Sequence, residues 1–329
     1  MCIRDRTDRI WHPYSLGRER ILDAVEMIAI ARGIDKEQLK REPSMFSIVN
    51  SNSPLRLDIP MLRGLTAMAE HGQPVVLTPF TLSGAMAPAT IAGALALQNA
   101  EALAGLCFIQ MINPGVPCVY GGFTSNVDMK TGAPAFGTPE YTRAAMAGGQ
   151  LARRYKLPYR SSNTCAANAV DGQAAYESEM SLWGAVMGHA NLILHGAGWM
   201  EGGLVASYEK MVMDAEMIQG MSEFMQPLEI NDDTLGIEAI MEVGPGGHFF
   251  GSAHTLARYE TAFYAPLLSD WRNFETWRQA GAHDTAQRAN TVWKQLLNEF
   301  VPPPIDPGID EALKEFVAKR KAEGGVSGN

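Results

Sequence analysis

Five times in succession a short apolar run gives way to a helical stretch, and this alternation decides the fold class. Residues 45–49, 74–78, 116–120, 158–160 and 191–194 read as strands. The spacing predicts helices over 55–71, 84–111, 139–155, 171–187 and 204–221, with a long polar loop over 121–138. Thr138 before Pro139, and Asp171, supply helix N-caps. Repeated βα units imply a parallel sheet with right-handed crossovers. The expected class is α/β, of the (β/α)8 TIM-barrel type. Only five of that barrel's eight strands are visible, and a helix over 18–32 precedes them. Either the sheet is open or the barrel is incomplete at the amino end. Trp271, Phe274, Trp277 and Trp293 fall among charges, and Pro302–Pro304 lead to a last helix over 310–321. These are expected as C-terminal helical additions. Residues 7–300 are taken as the partial barrel and 301–329 as a Pro-rich segment with its helix. Residues 1–6, MCIRDR, share no rhythm with the rest and are set aside as a possible non-native leader.

Charge and cysteine usage exclude several classes. With 36 acidic against 27 basic residues and no basic run longer than 319–321, a nucleic-acid role is not expected. The four cysteines show neither CxxC nor zinc spacing, which points to a reducing cytoplasm and no metal site. The most apolar stretch, 84–111, is broken by Pro88, Gln98, Asn99 and Glu101, so no membrane span is expected.

In barrels the carboxyl ends of the strands build the site. That rule selects Asn50 and Ser51, Pro79 and Phe80, Tyr120 to Asp128, Arg160 to Cys165, and His195 to Glu201. The stretch ANLILHGAGWMEGG is the richest, because an apolar run empties into a glycine-rich turn carrying His195, Trp199 and Glu201. His195 is either a satisfied core histidine or a partner for an anionic group. Trp199 packs, or with Glu201 forms part of a box for a quaternary ammonium. Glu201 has a plainer reading as a cap of the next helix. Asp128 either starts a turn toward Gly132 or supplies negative potential. Arg160 is a carboxylate clamp or the partner of an acidic neighbour. Cys165 lacks any nucleophile signature and reads as a small buried hydrophobe. Asn163 and His248 complete the candidate substrate-binding set. The turn EVGPGGH at 242–248 has no dinucleotide or Walker spacing, and His248 and His254 are six apart, wrong for a zinc pair. No lysine stands at a strand end, which weakens Schiff-base chemistry.

Several segments together resemble the trimethylamine methyltransferase (MttB-like) family: SIVNSNSPLRLD, GALALQNAEALAG, DMKTGAPAFGTPE, QLARRYKLPYRSS, DGQAAYES, HGAGWMEGGLVASYEK and EVGPGGHFFGSAHT. The likeness runs from about residue 18 to the end. Family members are longer at the amino end, so the chain is expected to be an amino-truncated member. The resemblance implies transfer of a methyl group from a methylated amine to Co(I) of a cognate corrinoid protein docked over the barrel mouth. No tightly bound cofactor of its own is implied, and a homo-oligomer is expected. Trimethylamine-specific members carry pyrrolysine in the loop after the strand that here ends at Arg160. Residues 163–169, NTCAANA, are ordinary. The resemblance therefore implies a non-pyrrolysine member acting on a quaternary amine, a betaine by preference, whose leaving group is already a neutral amine. On that reading His195, Glu201 and Asp128 are the catalytic candidates. Trp199, Tyr120, Phe80, Arg160, Asn163, Asn50 and His248 bind substrate. The competing expectations are a tertiary-amine methyltransferase, a non-catalytic quaternary-amine-binding barrel, and an unrelated barrel lyase.

Overall fold

A computed structural model describes residues 10–325. Residues 1–6, the candidate leader, lie outside the described residues. The chain runs α1 (Arg18–Arg32), α2 (Lys36–Arg41), β1 (Ser47–Asn52), α3 (Ile59–Glu70), β2 (Val75–Ser83), α4 (Ile91–Ile112), β3 (Cys118–Gly121), β4 (Phe123–Val127), β5 (Pro134–Ala135), α5 (Pro139–Arg154), β6 (Tyr159–Ser162), α6 (Gly172–Met187) and β7 (Leu192–Leu194). Then follow β8 (Trp199–Met200), β9 (Val205–Ala206), α7 (Tyr208–Phe224), α8 (Asp232–Leu235), α9 (Ile237–Val243), α10 (Ala253–Leu256), α11 (Phe274–Gln279), α12 (Thr285–Glu299) and α13 (Pro307–Ala322).

Apart from the two-residue β5, the main sheet is parallel and wound in one direction. β1 pairs with β2, β2 with β3 and β4, β3 with β6, and β6 with β7. Chain order and spatial order therefore agree, and all carboxyl ends lie along one edge. Helices α3 to α6 cover one face of the sheet. Gly105 of α4 is needed there, because a Cβ at that position would stand 2.1 Å from Leu77 of β2. The core is apolar, built on Val75, Leu77, Leu65, Met68, Leu106 and Ile109. Upstream of β1, Trp11 makes one parallel bridge to Met45, which brings residues 12–15 alongside the sheet.

Several boundaries depart from expectation, each for a local reason. β2 runs to Ser83 instead of stopping at 78, although it contains Pro79. β3 pairs with Val75–Leu77 and β4 with Phe80–Ser83, so the proline falls where the neighbouring strand is interrupted at Gly122 and no amide is missed. β4 lies in the stretch read as loop. Its residues Thr124 and Ser125 are polar yet buried, and β5 folds back on it antiparallel. α3 begins at Ile59 because Asp58 caps it and Pro60 suits the first turn. α4 begins at Ile91 behind the Thr90 cap, since Pro88 cannot sit inside the helix. α7 begins at Tyr208, capped by Ser207.

By length and composition α4 could cross a membrane, with a mean hydropathy of 1.4. Its Gln98 and Glu101 are nonetheless buried and hydrogen-bonded to groups on the sheet side, the arrangement of a covering helix. Beyond α7, α12 is tied to α7 through the Glu209 carboxylate, which accepts from Asn290 and from the Trp293 indole at 2.7 and 2.8 Å. α13 packs on α1, where Arg320 pairs with Asp23 at 2.8 Å. Between α7 and α12 many large apolar side chains, Phe250 and Phe263 among them, stand exposed.

Candidate functional site

A cavity of about 880 Å³ opens at the carboxyl edge of the sheet. Successive units contribute to its wall in chain order. β1 and its following turn give Asn50 to Pro54, β2 gives Phe80, β4 gives Phe123 and β6 gives Arg160. The segment after β7 gives His195 and Trp199, and the amino-terminal segment adds His12, Tyr14 and Ser15.

One side of the cavity is aromatic. Phe80 stacks on Phe123 with ring centroids 5.1 Å apart. Trp199 meets Phe123 and Phe136 edge to face at 6.2 and 5.2 Å, and His195 lies flat against Trp199 at 5.5 Å. Gly203 has φ +93°, and a Cβ there would come within 2.7 Å of the indole, so only glycine admits this ring position.

The other side is cationic without a counter-charge. Arg160 is 1% exposed, and its Nε and Nη1 have no hydrogen-bond partner. Its guanidinium carbon stands 5.6 Å from the centre of the Phe123 ring. Burial pulls its pKa down to about 10. Among the described residues no carboxylate pairs with it. Burial first, and then the Arg160 charge and His12, hold His195 at about 4, so its imidazole is neutral at physiological pH. His12 is likewise lowered by burial and by Arg160, and its Nε2 accepts the Ile48 amide at 3.3 Å.

Neutral burial of His195 carries a pH signature. The unfolded residue takes up its proton near 6.5 and the folded one near 4, so between those values the unfolded state binds more protons. Stability should therefore fall as pH drops from 6.5 toward 4. Thermal or urea unfolding should show a shallower fall for His195→Asn, a difference on the order of 2 kcal/mol at pH 4.5 after allowing for partial exposure. Superimposable pH curves for the two proteins would contradict this.

Behind the wall lie two buried carboxylates that strand-end reasoning did not select. Glu101 on α4 accepts from Ser51, from Ser53 at 2.8 Å and from the Leu55 amide at 2.7 Å, which shapes the 50–55 turn. The signal was an acid inside the most apolar helix. Asp214 and Lys210, one turn apart on α7, form an ion pair of zero exposure. Asp214 also accepts the Gly198 amide at 2.8 Å, and Asn163 donates to the Gly196 carbonyl at 3.1 Å. The His195–Trp199 turn is thus gripped from two sides. His195 itself sits at φ +54°, a conformation held by these contacts. Lys210 further donates to Ser178 at 2.6 Å. His12 gave no sequence signal at all, since only the Trp11 bridge carries it to the cavity.

Of the residues selected from sequence, Asn50, Phe80, Arg160, His195 and Trp199 line the cavity. The others do not. Tyr120 points away, into the helical layer, where Gln98 donates to its hydroxyl and Asn99 accepts from it at 3.1 Å; burial pushes its pKa up to about 12. Successive residues on a strand face opposite sides, which is why it misses. Asp128 is exposed in the β4–β5 turn, accepting the Lys130 and Thr131 amides and the Thr131 hydroxyl, bonds that lower its pKa. Glu201 is exposed at φ +48° in a tight turn, and α7 takes its cap from Ser207 instead. Asn163 is buried behind the wall, and His248 is exposed on the segment after α9. Among the described residues no three His, Cys, Asp or Glu side chains converge as a metal site would require.

Cys165 sits in the loop after β6, fully buried, and burial pushes its thiol up to about 12. A thiol-specific disulfide reagent at pH 8 should titrate exposed Cys107 at once and leave Cys165 silent until the protein unfolds. If Cys165→Ala lowers the native thiol count, the loop opens more than this structure shows.

Comparison with known proteins gives the site a family context. The family model described as trimethylamine methyltransferase (MTTB) matches residues 2–325. A glycine betaine methyltransferase of Desulfitobacterium hafniense is 40% identical over 320 residues, covering 97% of this chain and 66% of that protein. Trimethylamine methyltransferase MttB2 of Methanosarcina mazei is 32% identical over 290 residues, 87% of this chain and 58% of its own length. Trimethylamine methyltransferase MttB of Desulfitobacterium hafniense is 31% identical over 300 residues, 91% of this chain and 60% of its own. The chain thus spans 58–66% of the length of these relatives. With the match running through every βα unit that builds the cavity, the chain belongs to the trimethylamine methyltransferase (MTTB) family.

Proposed function

We propose that the sheet is an arc of a (β/α)8 barrel and that the cavity serves a corrinoid-dependent methyltransferase acting on a quaternary, betaine-like amine. The carrying observation is the aromatic wall of Phe80, Phe123 and Trp199 at the carboxyl edge of the sheet. A quaternary ammonium cannot donate a hydrogen bond, and ring faces are what attract it. Co(I) of a separate corrinoid protein accepts the methyl group, while the C–N electron pair stays on nitrogen and leaves a neutral amine. No proton has to move. That fits a cavity whose two imidazoles are held neutral and which, among the described residues, is lined by no carboxylate. The protein's share is to orient one methyl group outward and to exclude water.

The relatives named trimethylamine methyltransferases favour a tertiary amine as the rival donor. Against it, the 163–169 loop holds only ordinary residues, tied down by Glu177, which accepts the Ala166 and Ala167 amides at 2.7 and 2.9 Å. One experiment separates the readings. Glycine betaine, choline, tetramethylammonium and trimethylamine are each incubated with the protein and chemically reduced cobalamin, and the spectral change of cobalt methylation is followed. A response to a quaternary amine and none to trimethylamine is expected. Response to trimethylamine alone favours the rival, and silence with all four points to a binding protein without methyl transfer.

A further inference from the structure

We infer that Arg160 is the anchor for a carboxylate on the methyl donor, so that the cavity takes a compact zwitterion and not a simple cation; this rests on the quaternary-amine reading above. A guanidinium at 1% exposure with two of its three nitrogens unpartnered is costly to keep, because a buried charge without hydrogen bonds forfeits hydration and receives nothing back. Native proteins rarely leave such groups idle. The buried acids among the described residues are already committed: Glu101 to Ser51, Ser53 and the Leu55 amide, Asp214 to Lys210 and Gly198, and Glu177 to the Ala166 and Ala167 amides. What remains for Arg160 is a guest carrying negative charge. A planar carboxylate matches its fork.

The surroundings agree with that guest. His12 and His195 flank the guanidinium as neutral rings, polar enough to bond an oxygen yet bringing no competing anion. His195 Nδ1 is itself buried and unpartnered. The anion and cation subsites are contiguous, because Phe123 serves both, lying under Arg160 and against Phe80 and Trp199. A donor whose ammonium and carboxylate are separated by a short linker satisfies both at once. A donor with a hydroxyl in place of the carboxylate leaves Arg160 unpaired.

Calorimetric titration without cobalamin tests this on the full chain. Wild type should bind glycine betaine and dimethylglycine, and should bind choline far more weakly. Arg160→Met should weaken glycine betaine and dimethylglycine by about 100-fold and leave choline within about 3-fold, with Arg160→Lys in between. The methionine variant should also melt at or above the wild-type temperature, which separates lost binding from lost fold. Glycine betaine binding Arg160→Met as tightly as wild type overturns the anchor, and so does an equal loss for betaine and choline in a folded variant. Dimethylglycine has no quaternary methyl to give, so its Arg160-dependent binding upholds the anchor even if methyl transfer is never seen. Methylation of cobalamin from choline as fast as from glycine betaine would uphold the transferase and sink the anchor.

Discussion

Asp214→Ala should cost about 3–5 kcal/mol of stability, because it strands a fully buried ammonium. Lys210 and Asp214 both have zero side-chain exposure, and among the described residues Lys210 has only Ser178 besides its acid. Burial pushes the Asp214 carboxyl up, while Lys210, the Gly198 amide and Asn163 pull it back down. Removing the acid leaves Lys210 with a positive charge and one hydroxyl. The Gly198 amide loses its acceptor as well, in a turn where His195 is already at positive φ. Urea unfolding followed by circular dichroism measures the loss directly. The paired replacement Lys210→Met with Asp214→Leu should recover most of it, since no charge is then left buried. Ligand affinity should not recover in the double variant, because Gly198 remains unheld. A single Asp214→Ala variant within about 0.5 kcal/mol of wild type would mean that the pair is not buried as described.

Trp199→Ala should weaken binding of a quaternary ammonium by about 100-fold. The indole is the one ring that touches both aromatic neighbours and the imidazole, meeting Phe123, Phe136 and His195. Its removal deletes a cation-attracting face and frees His195 from the stack. Gly203 carries no side chain, so the neighbour that lies against the indole offers no ring or stem of its own to replace it. Trp199→Phe keeps a ring of the same electrostatic character and should recover roughly a third to a half of the lost binding free energy. Titration with glycine betaine reads both changes. Unchanged affinity in the alanine variant would remove the aromatic wall from the account of this site.

β1 and β2 were legible because Ile48–Val49 and Val75–Leu77 are buried and so show as apolar runs. β4 was not, since Phe123–Val127 hides two polar residues in the sheet by bonding them: Thr124 to Gln98 at 2.7 Å, and Ser125 to the Ala135 carbonyl. The partners lie 26 and 10 residues away. Helix starts drifted wherever a proline and a cap outranked periodicity, at Asp58 and at Thr90. For the site, counting from strand ends found Phe80, Arg160, His195 and Trp199. Tyr120 misses the cavity by one residue's alternation, and the Asp128 carboxylate is engaged in its own turn. Contacts spanning 36 and 46 residues, His12 to Ile48 and Glu101 to Leu55, leave no periodic trace.

A sheet wound in a single direction has a consequence for how such a protein can change over evolutionary time. Phe80, Arg160 and Trp199 reach the same hollow from three separate units, each anchored by its own helix. On the proposed reading, a substitution in one unit can reshape the grip on the methylated end of a guest while the grip on its other end is inherited intact. New donors can therefore be acquired piecemeal, one unit at a time, with the remaining framework left as it was.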